Sequence, residues 1–141
     1  MKLLFISVFA ILISLEINAK EYTIEMLNKD GKKRMVYSHE ILKIDLHDTV
    51  TWVPTSKGHN VQMIASPNDL KLRSKNNKKV SIKFDTPGIY YYLCTPHKNM
   101  GMIGLVVVGK DISNKSQIES MIGKLKSKKV RKKLEDLLEQ L

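Results

Sequence analysis

Short runs of β-branched and aromatic residues recur along the first two thirds of the chain, with turn residues between them. Strands of this length at regular spacing are typical of a β-sandwich or barrel. About eight strands are predicted, namely Tyr22–Leu27, Met35–Tyr37, Ile41–Leu46, Thr49–Val53, Asn60–Ile64, Lys79–Phe84, Ile89–Leu93 and Ile103–Val108. Between them, Asn28–Gly31 predicts a tight hairpin turn, and the polar residues 66–79 predict a loop or an irregular edge.

The hydrophobic period changes after Gly109, where apolar residues begin to recur at helical spacing. The segment Ser116–Glu119 has the pattern of a capping box and predicts the start of one helix, and Ser127 predicts the cap of a second. The apolar stripes of the two helices are Ile118, Met121, Ile122 and Leu125, then Val130, Leu134, Leu137, Leu138 and Leu141. We therefore predict an all-β Greek-key sandwich with two C-terminal α-helices in residues 112–141, packed on it by their apolar faces. A membrane-surface or partner-binding helix is the weaker alternative, because no aromatic anchor is present.

The first nineteen residues have the pattern of a secretory signal peptide. A positive start at Met1-Lys2 precedes an apolar, uncharged run over Leu3–Leu15, and Ala19 is a small residue suited to cleavage before Lys20. Residues 1–19 are thus predicted to be removed, which leaves residues 20–141 as one domain and places the protein in the periplasm. An uncleaved N-terminal anchor is the alternative.

The chain is basic and contains a single cysteine. Its 141 residues include 24 Lys and Arg against 14 Asp and Glu, a formal net charge of +10. Such a surface attracts polyanions, anionic membranes or acidic proteins. Export disfavours nucleic acid as the partner, and we expect no stable membrane insertion. A lone cysteine in an oxidising compartment cannot form an internal disulfide, so Cys94 requires another explanation.

Four residues carry the candidate chemistry. His59 lies at the start of a predicted strand, Cys94 and His97 end another in the run Cys-Thr-Pro-His, and Met102 opens the last one. One thiolate, two imidazoles and a thioether are the donor set of a type 1 copper site, trigonal His₂Cys with a weak axial Met. Met100 is the alternative axial residue at a shorter loop spacing, and Met102 is preferred. Zinc accepts much the same donors.

Each of these residues alone has an ordinary structural explanation. Cys94 follows an apolar strand and by itself resembles an inert core cysteine, and His59 by itself resembles a loop histidine. Their spacing to His97 and Met102 makes the metal site the stronger interpretation. A Cys/His nucleophile of the papain type is disfavoured, because nothing in the sequence resembles a third orienting residue or an oxyanion site. The remaining histidines, His39 and His47, are predicted to be solvated surface residues.

The segments that contain these residues resemble the two ligand segments of cupredoxins. The first runs from Asp48 to Val61, and the second from Thr86 to Gly104. Together with Met26–Lys29 and the two C-terminal helices, they make the chain similar to the pseudoazurin family over nearly all of residues 20–141. Amicyanins share the Cys-Thr-Pro-His run but lack the helical tail and use the shorter methionine spacing, which supports Met102 as the axial ligand.

The resemblance implies roles for individual residues. His59, Cys94, His97 and Met102 match the four copper ligands, and Asn60 matches a position that ties the two ligand segments together by hydrogen bonding. Pro96, next to His97, also lies close to the site. His97 matches a ligand whose ring edge reaches the surface through an apolar patch. Candidates for that patch are Met35, Pro54, Pro96, Met100 and Ile103.

The resemblance also implies a function. A pseudoazurin is a diffusible one-electron carrier with one type 1 copper ion per chain, not an enzyme, and we expect a monomer. Its expected partners are an acidic reductase of denitrification, such as copper nitrite reductase, and a cytochrome donor. Lys57, Lys98 and Met100 are the expected docking residues, although Leu93 stands where many family members carry Lys. A periplasmic copper-binding or trafficking protein without electron transfer is the alternative.

Overall fold

The computed structural model describes residues 18–141, so residues 1–17 of the predicted signal peptide lie outside it. It contains eight strands in the order β1 (Glu21–Asp30), β2 (Lys33–Tyr37), β3 (Ile41–Ile44), β4 (Thr49–Val53), β5 (Gln62–Ala65), β6 (Val80–Lys83), β7 (Gly88–Leu93) and β8 (Ile103–Val108). A short 3₁₀ segment, Thr95–Met100, separates the last two strands. Two helices follow, α1 (Lys115–Ile122) and α2 (Lys128–Glu139). The predicted fold class is confirmed, and every predicted strand is present.

The strands form two four-stranded sheets. One has the order β2-β1-β4-β6 and the other the order β3-β8-β7-β5. Each sheet is mixed, because β1 runs parallel to β4 and β3 runs parallel to β8 while the remaining pairs are antiparallel. Strands that are neighbours in a sheet but distant in sequence require crossovers between the two sheets.

The hydrophobic core has two layers. Between the sheets lie the large aromatic side chains Tyr37, Trp52, Phe84, Tyr90 and Tyr92, all at most 1% exposed. On the other face of the second sheet, Ile89, Tyr91 and Leu105 pack with the apolar stripes of α1 and α2. The strands β7 and β8 are consequently buried on both faces, which explains why they read as continuous apolar runs instead of alternating ones.

The two helix starts differ in how well the sequence predicted them. The Ser127 side chain accepts a hydrogen bond from the Val130 N–H, so the predicted cap of α2 is confirmed. The prediction that a capping box at Ser116 starts the first helix is wrong, because α1 already begins at Lys115. The residue before it, Asn114, bonds both backbone groups of Ile89 on β7 at 2.9 and 2.8 Å. A tertiary contact with the sheet therefore fixes the start of α1.

The predicted hairpin after β1 is present, but its turn is shorter than expected. Strand β1 continues through Asp30, and the turn consists of Gly31 and Lys32, with Gly31 at φ +56°. Residues 66–79 form a loop that pairs with β5 through the single bridge Gln62–Arg73. Within residues 18–141, no helix is long and apolar enough to cross a membrane.

Candidate metal centre

The four predicted ligand residues lie at one end of the second sheet. His59 precedes β5, Cys94 follows β7, His97 lies in the 3₁₀ segment and Met102 immediately precedes β8. Because β5, β7 and β8 are adjacent in the sheet, their ends meet at the same edge. The antiparallel pairing of β7 with β8, which ends at Leu93 and Ile103, brings the residues on either side of the loop together.

Three of the four residues present their donor atoms to one point. The Nδ1 atoms of His59 and His97 are 3.2 Å apart, and the Cys94 Sγ lies 3.7 Å from the first and 3.4 Å from the second. A point equidistant from these three atoms lies about 2.0 Å from each, close to metal–imidazole distances and slightly short of metal–thiolate ones. The triangle of two nitrogens and one sulfur therefore fits a metal ion with only a small adjustment.

Met102 is held beside this triangle by the backbone. The Cys94 N–H donates to the Met102 carbonyl at 2.9 Å, and the Met102 N–H donates to the His97 carbonyl at 3.3 Å. The Met102 side chain is fully buried, whereas Met100 is 46% exposed. This difference in burial favours Met102 over Met100 as the axial residue.

The orientation of His59 depends on a residue that the sequence analysis missed. The His59 Nε2 lies 2.8 Å from the Asn28 side-chain oxygen on β1. Because that oxygen only accepts, Nε2 carries the proton and Nδ1 is left with a lone pair facing Cys94 and His97. Asn28 thus selects the imidazole tautomer that can bind a metal. Since β1 belongs to the other sheet, no sequence spacing could have indicated this contact.

Asn60 connects the two ligand segments, as the resemblance implied. Its side-chain oxygen accepts from the Thr95 N–H at 2.8 Å, and its side-chain nitrogen donates to the Thr95 hydroxyl at 3.1 Å. The Thr95 hydroxyl donates in turn to Gln62 at 3.1 Å, and the Asn60 carbonyl accepts from the buried Tyr37 hydroxyl at 2.8 Å. The segments that carry His59 and Cys94 are therefore fixed to each other.

The loop of residues 66–79 also supports the His59 segment, a role that its polar sequence did not reveal. The Asn77 side chain accepts from the Gly58 N–H at 2.6 Å, and its backbone N–H donates to the His59 carbonyl at 2.9 Å. Ser74 bonds both backbone groups of Val61 at 2.9 Å. Gly58 has φ +93°, a conformation that glycine adopts without strain.

Burial sets the protonation of the three donors. It lowers the pKa of His59, with a smaller contribution from the neighbouring His97, and it also lowers the pKa of His97. Both imidazoles are therefore neutral near pH 7 and available as ligands. Burial raises the pKa of the Cys94 thiol, opposed in part by the backbone N–H groups of Asn60 and His97. Metal binding must therefore displace a proton from this thiol.

A lysine on α2 braces the loop between His97 and Met102. The Lys133 ammonium donates to the Gly101 carbonyl at 2.7 Å and pairs with Glu40, whose other oxygen is 2.7 Å from Lys33. Gly101 adopts φ +89° at the end of the 3₁₀ segment. Glu40 and Lys133 are mostly buried side chains, so the helix, the strand β2 and the loop are linked by a partly desolvated charge network.

The predicted docking residues lie on the surface of the molecule. Pro96, Lys57, Lys98 and Met100 are exposed and the His97 residue is half-buried. Two further patch candidates, Met35 and Pro54, are half-buried. Ile103 was wrongly included, because as the first residue of β8 it is fully buried between sheet and helices. Outside the centre, His47 lies near the surface and contacts Asp85 at 2.7 Å, and His39 is exposed, as predicted.

Replacing Asn28 tests the tautomer argument. We expect Asn28→Ala to reduce Cu(II) affinity by about 10- to 100-fold, the usual effect of removing a partner of a ligating histidine. Asn28→Asp keeps an acceptor oxygen and serves as the matched control, with a smaller loss. Affinity is measured by competition with a chelator, and an unchanged affinity in Asn28→Ala would contradict the argument.

Replacing Glu40 tests the brace through its pH dependence. Burial raises the pKa of Glu40, but its bonds to Lys133 and Lys33 outweigh that effect and hold the pKa below its ordinary value. Its contribution to stability is therefore complete above about pH 4.3, the ordinary value for Glu, and is lost as the pH falls through the lowered pKa.

We expect Glu40→Gln to reduce the free energy of unfolding by about 1–3 kcal/mol at pH 7, with the difference shrinking in acid. Denaturant titrations of the unmodified protein and the variant, at pH 7 and in acid, measure this difference. The matched control is Asp136→Asn, which removes the exposed Lys132–Asp136 pair at 2.9 Å and should cost about 0.3–0.5 kcal/mol. Equal losses in the two variants would show that the brace adds nothing beyond a surface ion pair.

Comparison with known proteins agrees with this geometry. Residues 24–109 match the profile of the family described as copper binding proteins, plastocyanin/azurin family. The chain is 40% identical to a provisionally named pseudoazurin of Rhizobium leguminosarum bv. viciae, over 87% of this chain and 81% of that protein. It is 32% identical to a pseudoazurin of Methylorubrum extorquens, over 94% of this chain and 89% of that protein.

Solved structures give the same result. The crystal structure of pseudoazurin from Methylobacterium extorquens superposes with a TM-score of 0.75 at 31% identity, covering 85% of this chain and 98% of that one. A pseudoazurin structure from Sinorhizobium superposes with a TM-score of 0.73 at 32% identity, covering 84% of this chain and 94% of that one. The profile, the relatives and the structures agree with the His₂Cys triangle: this chain belongs to the copper-binding plastocyanin/azurin family, and within that family it is a pseudoazurin with copper as its cofactor.

Proposed function

We propose that the protein is a periplasmic one-electron carrier whose copper is held by His59, Cys94, His97 and Met102. The observation that carries the proposal is the triangle of His59 Nδ1, His97 Nδ1 and Cys94 Sγ, with atoms 3.2–3.7 Å apart, beside a buried methionine. When bound in such a site, copper cycles between Cu(II) and Cu(I). Imidazole suits both oxidation states, and the sulfur donors suit Cu(I).

The burial of the site supports a carrier over a copper-trafficking protein. His59, Cys94 and Met102 are all fully buried. The His59 ring donates to Asn28, and Asn60 accepts from the Thr95 N–H next to Cys94. A trafficking protein needs a labile site open to exchange, whereas a carrier benefits from donors that do not move between oxidation states. Because three of the four donor residues are fully buried, little of the centre is accessible to a substrate, which supports a carrier over an enzyme.

The surface around His97 supports docking of an acidic redox partner there. His97 is the half-buried donor residue, and exposed Pro96 and Met100 lie next to it. Lys57 and Lys98 add positive charge to this face. Next to Met100, a groove of about 520 Å³ is lined by Lys32, Lys33, Arg34, Lys129 and Lys133 among others. Such a field raises the association rate with acidic proteins. We propose a denitrification reductase, such as copper nitrite reductase, as the acceptor and a cytochrome as the donor.

The visible absorption spectrum tests the proposed function. The protein loaded with Cu(II) and oxidised with ferricyanide should show an intense blue or green thiolate-to-copper band that bleaches with ascorbate. Cys94→Ser should remove the band and leave the fold intact, because serine fills nearly the same buried volume as the cysteine. Pale copper in the unmodified protein would overturn the proposal in favour of the copper-handling alternative, and no bound copper would overturn both.

Replacing each methionine identifies the axial ligand. We expect Met102→Gln to retain copper and to shift the reduction potential, because the axial ligand tunes it. Met100→Gln is the matched control on the exposed side of the loop and should leave the potential near that of the unmodified protein. Voltammetry measures both variants. A shift confined to Met100→Gln would reverse the assignment.

Charge reversal tests the docking face. Lys57→Glu with Lys98→Glu should slow electron transfer to an acidic partner and flatten its dependence on ionic strength, because the attraction is screened by salt. The control is reversal of Lys43 and Lys110, two surface lysines at the opposite end of the second sheet from the centre, which should change the rate less. Stopped-flow kinetics over a salt series measures the effect, and equal slowing in the two double variants would place docking elsewhere.

A further inference from the structure

A buried carboxylate lies at the end of the sandwich where the first strand begins. Asp48, in the turn before β4, is only 2% exposed. Its Oδ2 accepts from the Asp45 N–H at 2.9 Å, and its Oδ1 accepts from the Lys20 N–H at 2.7 Å. The second contact spans 28 positions of the sequence, so it joins the start of the first strand to the turn that precedes its parallel neighbour.

This carboxylate has no charged partner in the part of the chain that the structure describes. The ion pairs found among residues 18–141 do not include Asp48, and the Lys20 ammonium is directed instead toward the exposed Asp45, at 3.9 Å. Two neutral N–H groups are thus the hydrogen-bond partners of this buried carboxylate. Buried carboxylates are usually paired with a cation, because desolvation of the charge is costly.

Within residues 18–141, Lys20 is also the first residue whose backbone bonds to the sandwich. Its carbonyl accepts from the Thr49 N–H at 2.9 Å, and Glu21 is the first residue of β1 to pair with β4, again at Thr49. Asn18 and Ala19 are exposed and belong to no strand. The backbone therefore enters the hydrogen-bond network at the Lys20 nitrogen, the atom that Asp48 binds and that follows the predicted cleavage site.

We propose that Asp48 is the binding site for the α-ammonium group that forms when the signal peptide is removed between Ala19 and Lys20. In that hydrolysis, water breaks the amide bond: the Ala19 carbonyl carbon gains an oxygen and leaves as a carboxylate, and the Lys20 nitrogen is released and protonated to –NH₃⁺. The neutral N–H that faces Asp48 before cleavage is thereby replaced by a cation at the same position. Removal of the signal peptide thus gives Asp48 a positively charged partner and strengthens the link between β1 and β4.

The pair has a defined dependence on pH. An α-amino group ordinarily has a pKa of about 7.7–8.0, and a buried carboxylate beside it raises that value. The added stability is therefore complete below about pH 7.7 and is lost as the pH rises through the raised pKa. The other charged groups on neighbouring elements are the Lys20 side chain, Glu21, Asp45, Lys83 and the His47–Asp85 pair.

The test compares two chains that both contain every strand and helix. One starts at Lys20 and has the free ammonium group, and the other starts at Asn18 and keeps the neutral amide at Lys20. We expect the denaturant midpoint of the chain that starts at Lys20 to be higher at about pH 6, with the difference disappearing in strongly alkaline buffer. In Asp48→Asn the two midpoints should coincide, whereas in the control Asp45→Asn the difference should persist. A difference of equal size in Asp48→Asn would overturn the proposal.

A second measurement covers the case in which Asp48→Asn does not fold. The pKa of the Lys20 α-amino group, followed by NMR in the chain that starts at Lys20, should lie above the ordinary range, and a value within that range would overturn the proposal. Mass spectrometry of the exported protein should find Lys20 as the first residue, and another start would overturn it as well. Metal-free protein serves for the stability and NMR arms, so their outcome is independent of the proposed electron transfer.

Discussion

Antiparallel pairing between β7 and β8 is the constraint on which the metal centre depends. The ladder runs without a break from Gly88–Val108 to Leu93–Ile103, and the next backbone bond joins the Cys94 N–H to the Met102 carbonyl at 2.9 Å. The loop between Cys94 and Met102 is therefore closed by the sheet itself. Within it, the Cys94 carbonyl accepts from the His97 N–H at 3.1 Å, which returns the imidazole toward the sulfur. One rigid hairpin thus sets the spacing of three donor residues.

The fourth donor residue, His59, comes from a different part of the chain and is positioned by polar contacts. Asn28 fixes its ring, Asn60 ties its segment to Thr95, and Asn77 bonds the backbone on both sides of it. Three asparagines fit this task because each side chain offers both a donor and an acceptor, so it can satisfy an isolated backbone group. Between the sheets, by contrast, aromatic packing replaces polar contacts, and Tyr37 and Trp52 each pack edge-to-face with Tyr92.

The sequence predicted those features that depend on local pattern. Short runs of β-branched and aromatic residues predicted the strands, and the Cys-Thr-Pro-His run with Met102 predicted the ligand loop. Each of these signals is contained within a few neighbouring residues of the sequence. It could not predict Asn28, Asn77 or Lys133, whose contacts with the centre cross between sheets, loops and helices and leave no trace in spacing. The start of α1 was misplaced for the same reason, since Asn114 bonds β7 and thereby overrides the local capping pattern at Ser116.

The distribution of charge follows from these requirements. Carboxylates close to the centre would attract its cation and compete with the neutral imidazoles, and Glu40, the acidic member of the brace, is neutralised by Lys33 and Lys133. The network therefore contributes two ammonium groups for one carboxylate on the side of the loop that carries Met100. Under the proposed function, excess positive charge near the copper favours its reduced, less positive form. The same charge attracts acidic proteins. The lysines that hold the loop thus also add to the positive charge on which the proposed docking of an acidic partner depends.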